Sequence, residues 1–575
     1  MESLSVLDEK VADMHNALIP RNQAPRDPFP DRPKRLMEYL SALNEKVVDM
    51  YNALNIPRNH VHINNLPVEI IRRIFWFLQP DSWTVDVTDD HTCPKLLTHV
   101  CKQWRTIAFD YGELWSWISL PLCENVIEAD KRCHYSLEHL GSAPVNLKLV
   151  GRFNPEGDSD DDGGDWDGHR NDPAKLDSDL VECLALNFKV IISYFSGNGN
   201  AIKTLTLCHM PSPILSALPA GLFPDLETLA WVQCEHNEVL WNRLGITQGP
   251  VIAFKDCTYL RRLVSCTKMS GYPVGTGFRP ELFEVELPWS QLTHISEVRS
   301  TLAYRNLSAC TSLRWANIDC VGTTVRSDGS QSTSTTFLGG VGNLAVSTTQ
   351  LDDGTPTGLK RHSKMELQFS NSLLQVDFPH LRSFWLSHRR HRSVLTSLGK
   401  NTKEWLMKNL HGVKFLGLRL TDITSGALTS ILAAAPETTT LLIHMGARGP
   451  VNDPCAILTG LQHPDKLWRK ALLPKLHTLI IDVRSEIDRC NPGLGDSEEG
   501  AALRKVLDDR ARRRHRTVRR STRLRRLVVY GDSLGDIEDE FLPVVQPFID
   551  RSGLLLRPEL ERDGTTTRCH PERFC

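Results

Sequence analysis

From about residue 200 to residue 530 one short apolar phrase keeps returning, and no other feature of the chain limits its fold so tightly. It reads Ile202-x-x-Leu205-x-Leu207, Leu226-x-x-Leu229, Leu260-x-x-Leu263, Leu313 through Ile318, Leu381-x-x-Phe384-x-Leu386, Val413-x-x-Leu416-x-Leu418, Leu476-x-x-Leu479-x-Ile481 and Leu524-x-x-Leu527-x-Val529. Apolar residues two apart within each phrase predict a short strand that buries one face. Several phrases are introduced by a proline step, as in FPDLETL, FPHLRSF and LPKLHTL. One strand per unit, with a helical pattern such as GALTSILAAAP between units, predicts parallel strands that line one side of a stacked array and helices on the other. Spacings run from about 24 residues upward, so insertions must interrupt the array. An α/β domain of another topology is the competing reading, because alternating strands and helices do not fix connectivity. Two stretches do not fit the array: the acidic run EGDSDDDGGDWDGHRND near 156–172 and the Ser/Thr/Gly-rich run around 322–358. Both are expected to be surface loops or disorder.

Residues 63–120 follow a different period. Pro67 stands where a first-turn proline costs nothing, since that amide would have no intrahelical acceptor, so a helix should start there. Ile70, Ile71, Ile74, Phe75 and Leu78 share one face, with Glu69, Arg72, Arg73 and Gln79 turned away. A second helix is expected from Leu96, Leu97, Val100, Cys101, Trp104, Ile107 and Ala108, and Leu114-Trp115 with Trp117-Ile118 forms a third apolar cluster. Three short helices carry more large apolar side chains than about sixty residues can cover, which implies a surface completed by something else.

The strings LPVEIIRRIFWFL and LLTHVCKQWRTIAFDYGELW resemble the F-box, whose pattern runs Leu-Pro-x-Glu, two apolar helical turns, Val-Cys-x-x-Trp and a closing Leu-Trp. The continuation WSWISLPL is similar to that of F-box proteins of mushroom-forming fungi, in which irregular leucine-rich repeats commonly follow. The resemblance covers about a tenth of the chain. It implies binding to the Skp-type adaptor of a cullin-RING ubiquitin ligase. Carried over by position, Leu66 and Pro67 would meet the adaptor first, and Ile71, Ile74, Phe75, Val100, Cys101, Trp104, Leu114 and Trp115 would supply the rest of the shared surface or the packing beneath it. The connection QPDSWTVDVTDDHTCPK is longer than a compact F-box needs, which leaves Leu78 and Leu96 less tightly placed. An ordinary three-helix core without a partner is the alternative.

The implied fold class is α+β to α/β, a small three-helix F-box followed by an irregular leucine-rich-repeat solenoid. Its segments are 1–60 (heptad-like helices with a Pro-rich linker), 61–122 (F-box), 123–200 (connecting region with the acidic loop), 201–560 (substrate-binding repeats) and 561–575 (tail). Within the first segment LSVLDEKVADMHNAL at 4–18 and LSALNEKVVDMYNAL at 40–54 agree at eleven of fifteen positions. Leu36, Leu40, Leu43, Val47, Met50 and Leu54 form a heptad-type stripe that either folds back on the chain or self-associates. The function expected is that of a substrate receptor in an SCF-type ligase. The alternative is a repeat scaffold or nucleic-acid-associated protein whose F-box-like helices only cap the solenoid.

A formal net charge of −2 excludes a globally basic nucleic-acid binder, and nucleic acid is not an expected partner. The fifteen cysteines lack a C-x-x-C pair or alternating Cys/His spacing, so no metal or other cofactor is expected and the thiols should be reduced. A charged, amphipathic N-terminus and the absence of any uninterrupted apolar stretch of about 18 residues point away from secretion and the membrane, toward cytoplasm or nucleus. No catalytic residue is expected. Asp158, Asp160, Asp162 and Gly163 begin like a calcium loop, but position twelve is His169 rather than glutamate. Gly531-Asp532-Ser533-Leu534-Gly535 satisfies a nucleophile-elbow pattern, yet too little chain follows for a hydrolase half-sheet, and His570 is the only later histidine. The twelve basic residues from Arg504 to Arg526 suit a solvated helix face or a nuclear-import signal.

Overall fold

The computed structural model describes residues 66–78, 93–122, 131, 134, 137–151, 178–197, 199–208, 210, 212–234, 250–268, 285–298, 304–319, 336–349, 363–367, 369, 371–389, 393–420, 425–444, 473–482, 524–531 and 555–560. The duplicated N-terminal segments, the acidic run, residues 79–92 of the helix connection, Ser533, His570 and the basic run up to residue 523 lie outside them.

Among the described residues eighteen strands are found: β1 (Trp117–Leu122), β2 (Val145–Gly151), β3 (Ile202–Cys208), β4 (Thr228–Cys234), β5 (Arg262–Lys268), β6 (His294–Val298), β7 (Trp315–Asp319), β8 (Thr336–Phe337), β9 (Asn343–Thr349), β10 (Ser363–Leu367), β11 (Val376–Asp377), β12 (Ser383–Arg389), β13 (Ser393–Leu398), β14 (Phe415–Leu420), β15 (Thr440–His444), β16 (Thr478–Asp482), β17 (Arg526–Gly531) and β18 (Leu555–Leu560). The α-helices are α1 (Val68–Leu78), α2 (Cys93–Thr98), α3 (Lys102–Phe109), α4 (Ser178–Gly197), α5 (Ser212–Ser216), α6 (Asn371–Leu374), α7 (Lys400–Asn409) and α8 (Ser425–Ala434). Fourteen strands form one sheet in chain order, β1-β2-β3-β4-β5-β6-β7-β9-β12-β14-β15-β16-β17-β18. Every neighbouring pair in that sheet is parallel. Strands that pair in chain order, each returning by a crossover, give a solenoid-like mixed α/β fold.

The register explains why the leucine phrases matter. One row crosses the sheet as Ile118, Leu147, Leu205, Leu229, Leu263, Ile295, Ala316, Leu344, Phe384, Leu416, Leu441, Leu479 and Leu527, each beside the next. All of them are buried in one continuous cluster with the inward residues of α4, α7 and α8. Stacking a rung therefore buries a side chain against both neighbours, at roughly 1.5–3 kcal/mol each. The crossovers dock through aromatic and amide groups. Trp405 on α7 meets Phe369, Phe378 and Phe384 at ring distances of 5.3, 5.9 and 6.2 Å, and its Nε1 donates to the Val376 carbonyl at 2.8 Å. Asn409 Oδ1 accepts from the Phe378 amide at 2.6 Å, so this buried backbone N–H is not left unpaired.

On the other face the next row reads Ser119, Lys148, Thr206, Ala230, Val264, Ser296 and Asn317, then Ala345, Trp385, Gly417, Leu442, Ile480 and Val528. The apolar half forms its own small cluster. Gly417 is required there, because a β-carbon would collide with the Trp385 indole that lies across it.

Three expectations change. The Ser/Thr/Gly-rich run 322–358 contains β9, a full rung of the sheet, so it is not a loop throughout. Leu344 and Val346 face the core and Asn343 and Ala345 alternate with them, so only two inward residues marked a strand whose buried face is ordinary. The second helix of the N-terminal module is two helices, α2 and α3, broken at His99-Val100. The cause is Cys101, whose extended backbone and thiol acceptance of the Trp104 amide at 3.4 Å make it the cap of α3. The sheet also starts at Trp117, inside the segment read as the F-box, and its second rung, β2, lies in the connecting region.

Candidate functional site

The helical module is built around two tryptophans. Phe75 on α1 meets Trp104 on α3 edge to face at 4.9 Å, and both are essentially inaccessible. Trp115, in the 3₁₀ turn Gly112–Trp115, donates its Nε1 to the Ala108 carbonyl at 2.8 Å, which ties the turn to the end of α3. Arg105 Nε donates to the Thr98 carbonyl at 2.8 Å and satisfies the end of α2. Tyr111 donates its hydroxyl to Glu113 Oε2 at 3.0 Å under the Arg72 guanidinium, 5.8 Å from the ring centre. Burial, aided by that hydrogen bond and the carboxylate charge, pushes the phenol up to about 12.

A second aromatic group joins the module to the sheet. Phe109 stacks on Trp115 at 5.8 Å and on His139 at 4.7 Å, and His139 lies 4.8 Å from Trp115. Burial holds the His139 imidazole below its ordinary range, partly offset by Glu138. Gly112 sits so close to the Leu140 carbonyl that any β-carbon would collide with it. Asn200, just before β3, donates to the Gly141 and Ala143 carbonyls at 2.8 and 3.0 Å and fixes the turn leading into β2.

Of the ten residues singled out from the sequence, Leu66, Ile71, Ile74, Phe75, Trp104, Leu114 and Trp115 are buried. They are the packing beneath a surface. Cys101 is half-buried as a helix cap, and only Pro67 and Val100 are exposed. The structure adds residues that the sequence reading passed over. Val68 is 39 % exposed and Trp76 is 53 % exposed, with Val100 at 36 % in the break between α2 and α3. Val68, Arg72 and Trp76 are four apart on α1 and so form one stripe that flanks the inward residues Ile71 and Phe75. A count of four from Val68, rather than the inward set, would have revealed the stripe.

Among the described residues no group of His, Cys, Asp or Glu side chains could hold a metal ion. Cys101, Cys208, Cys257 and Cys310 are thiols outside any disulfide, and burial pushes Cys257 up to about 12. No helix among the described residues is long and apolar enough to cross a membrane.

No family model matches the chain. No curated protein matches it either. Among solved structures, the complex of Rad7 and Elc1 in yeast is similar at 11% sequence identity and a TM-score of 0.18, over 56% of this chain and 86% of that chain. A likeness of that size carries no argument about fold or function.

Proposed function

We propose that this chain is the substrate-receptor subunit of an SCF-type cullin-RING ubiquitin ligase. In this reading the module 61–122 is an F-box of the mushroom-forming-fungus type that binds a Skp-type adaptor, and the repeat region presents an unidentified target protein. The chain performs no chemistry itself, and ubiquitin transfer belongs to the other subunits. It works in the cytoplasm or nucleus.

The observation that carries the reading is the exposed apolar set Val68, Trp76 and Val100 on a module whose interior is already filled by Phe75, Trp104 and Trp115. A tryptophan 53 % exposed on a short helix keeps much of its ring accessible to a partner, and aromatic anchors dominate protein interfaces. The sequence resemblance supplies the class of partner. The buried residues of the F-box pattern hold α1 and α3 together, and the adaptor would meet Pro67, Val68, Trp76 and Val100.

The test is co-purification of a Skp-type adaptor with the full chain, wild type and Trp76→Ala. Adaptor should be retained by the wild type and lost from the variant, at roughly tenfold or more in affinity, with the melting temperature unchanged. Failure of the wild type to retain any adaptor would overturn the assignment.

A further inference from the structure

The residue that precedes each strand from β4 to β17 in the large sheet lies on one edge, and a continuous run of backbone hydrogen bonds links these positions. Arg261 N donates to Glu227 O at 2.9 Å, Thr293 N to Arg261 O at 2.8 Å, Arg314 N to Thr293 O at 2.9 Å and Gly342 N to Arg314 O at 3.0 Å. The run continues with Arg382 N to Gly342 O at 2.8 Å, Lys414 N to Arg382 O at 2.7 Å, Thr439 N to Lys414 O at 2.8 Å, His477 N to Thr439 O at 3.0 Å and Arg525 N to His477 O at 2.7 Å. Side chains on this edge fall into two groups. Three lysines of this edge are neutralised: Lys203 pairs with Glu227 at 2.6 Å, and Glu437 bridges Lys414 at 3.0 Å and Lys475 at 2.6 Å. Arg261, Arg262, Arg314 and Arg382 in the middle, like Arg525 at the end, are exposed, and among the described residues no carboxylate is paired with any of them, although Arg261 Nη1 donates to the Thr258 and Leu260 carbonyls at 3.1 and 3.2 Å.

We propose that this middle stretch docks an extended acidic polypeptide of a partner protein, carrying Asp or Glu at every third residue. The spacing selects the ligand. Arg261, Arg314 and Arg382 precede alternate strands of the order β5-β6-β7-β9-β12, so at ~4.8 Å per strand they recur about every 10 Å. A polyproline-type chain returns its side chains to one side every three residues, a repeat of about 9–10 Å. The two repeats match. Between the arginines stand Thr293 and Gly342, and nothing lies within 4 Å of where a Gly342 β-carbon would be, which leaves open room for a backbone to pass. Neither intervening residue offers a ring on which a base could stack, so a single-stranded nucleic acid is the poorer fit. At these separations, near the Debye length of physiological salt, the arginines repel one another weakly while each can still meet its own carboxylate. The inference goes beyond the ligase reading and does not depend on the adaptor surface.

The experiment is fluorescence anisotropy on the full chain at low and physiological salt, with a labelled (Pro-Pro-Glu)4 peptide as probe. Binding should weaken as salt rises, vanish for (Pro-Pro-Gln)4, and fall by about fivefold or more in the Arg314→Gln/Arg382→Gln double variant. Lys203→Gln, on the same edge but already neutralised, should leave binding unchanged. Unaltered melting temperatures of these surface variants separate a lost contact from a lost fold, and either single arginine variant replaces the double one if it fails to fold. Binding that ignores the double variant would overturn the proposal. So would equal binding of a peptide with its four glutamates contiguous, or tighter binding of a five-thymidine oligonucleotide through the same arginines.

Discussion

The helical module and the sheet bury apolar surface by different means. In the sheet one leucine row is repeated rung after rung, so each side chain rests on two others of similar size. In the module a few aromatic rings each serve several neighbours: Phe75 with Trp104, and Trp115 with Phe109 and His139. The two regions also differ in what they leave outside. The module shows water Val68, Trp76 and Val100, whereas the sheet edge shows it Arg261, Arg314 and Arg382. An apolar surface and a cationic one answer to opposite conditions, since salt screens the second and hardly affects the first. The two surfaces can therefore be probed independently by varying salt.

The largest effect should come from removing one ring in each region. Phe384→Ala in the sheet and Trp104→Ala in the module should each cost about 3–5 kcal/mol, because both side chains are fully enclosed. Calorimetry should place the two losses in different transitions, the first broadening the sheet's unfolding, since stacked units contact chiefly their neighbours, and the second acting on the module. If both variants shift one common transition equally, the module and the sheet form a single cooperative unit and the contrast between them fails.

A smaller effect is expected where the two regions touch. Gly112→Ala would force a β-carbon into the Leu140 carbonyl, so the 3₁₀ turn must move, at a cost of about 1–3 kcal/mol. Chemical denaturation would measure it, and a change below about 0.5 kcal/mol would mean that the junction adjusts freely.

The smallest effect concerns pH. His139 is held below its ordinary range in the folded chain, so the unfolded chain takes up the proton first as pH falls. The stability contributed by its neutral form is complete above the unfolded value near 6.5 and declines as pH drops through it toward the folded value. Thermal melts between pH 7.5 and 5.5 should show a fall that is reduced in His139→Gln; an identical slope in both would remove the histidine from the junction.

Much of the sheet was legible because its signal is redundant. Eight strands, β3, β4, β5, β7, β12, β14, β16 and β17, follow directly from the leucine phrases, and GALTSILAAAP forms α8. Two of the rungs that escaped notice have a mixed or polar alternate face. β6 is only HISEV and β9 is NLAVSTT, in which one or two inward residues carry the burial that a run of leucines announces elsewhere. β1 was hidden by its neighbours, since WISLPL reads as the end of the helical module until its pairing with β2 is seen. At the candidate site the inward residues were legible through their period. Their exposure was not, because burial depends on which helices pack together, and the sequence placed Val100 on a helical face that Cys101 in fact interrupts. The arginine edge was wholly hidden: Arg261, Arg314 and Arg382 are far apart in the chain, and only the shared register gathers them.

The most direct measurement is the affinity of the full chain for a Skp-type adaptor, by isothermal titration at low and high salt, for the wild type and Trp76→Ala. The expected result is a wild-type affinity that changes little with salt and falls about tenfold or more in the variant, as an apolar anchor requires. Absence of binding by the wild type, or binding that salt abolishes and Trp76→Ala leaves untouched, would contradict the assignment of this face to an adaptor.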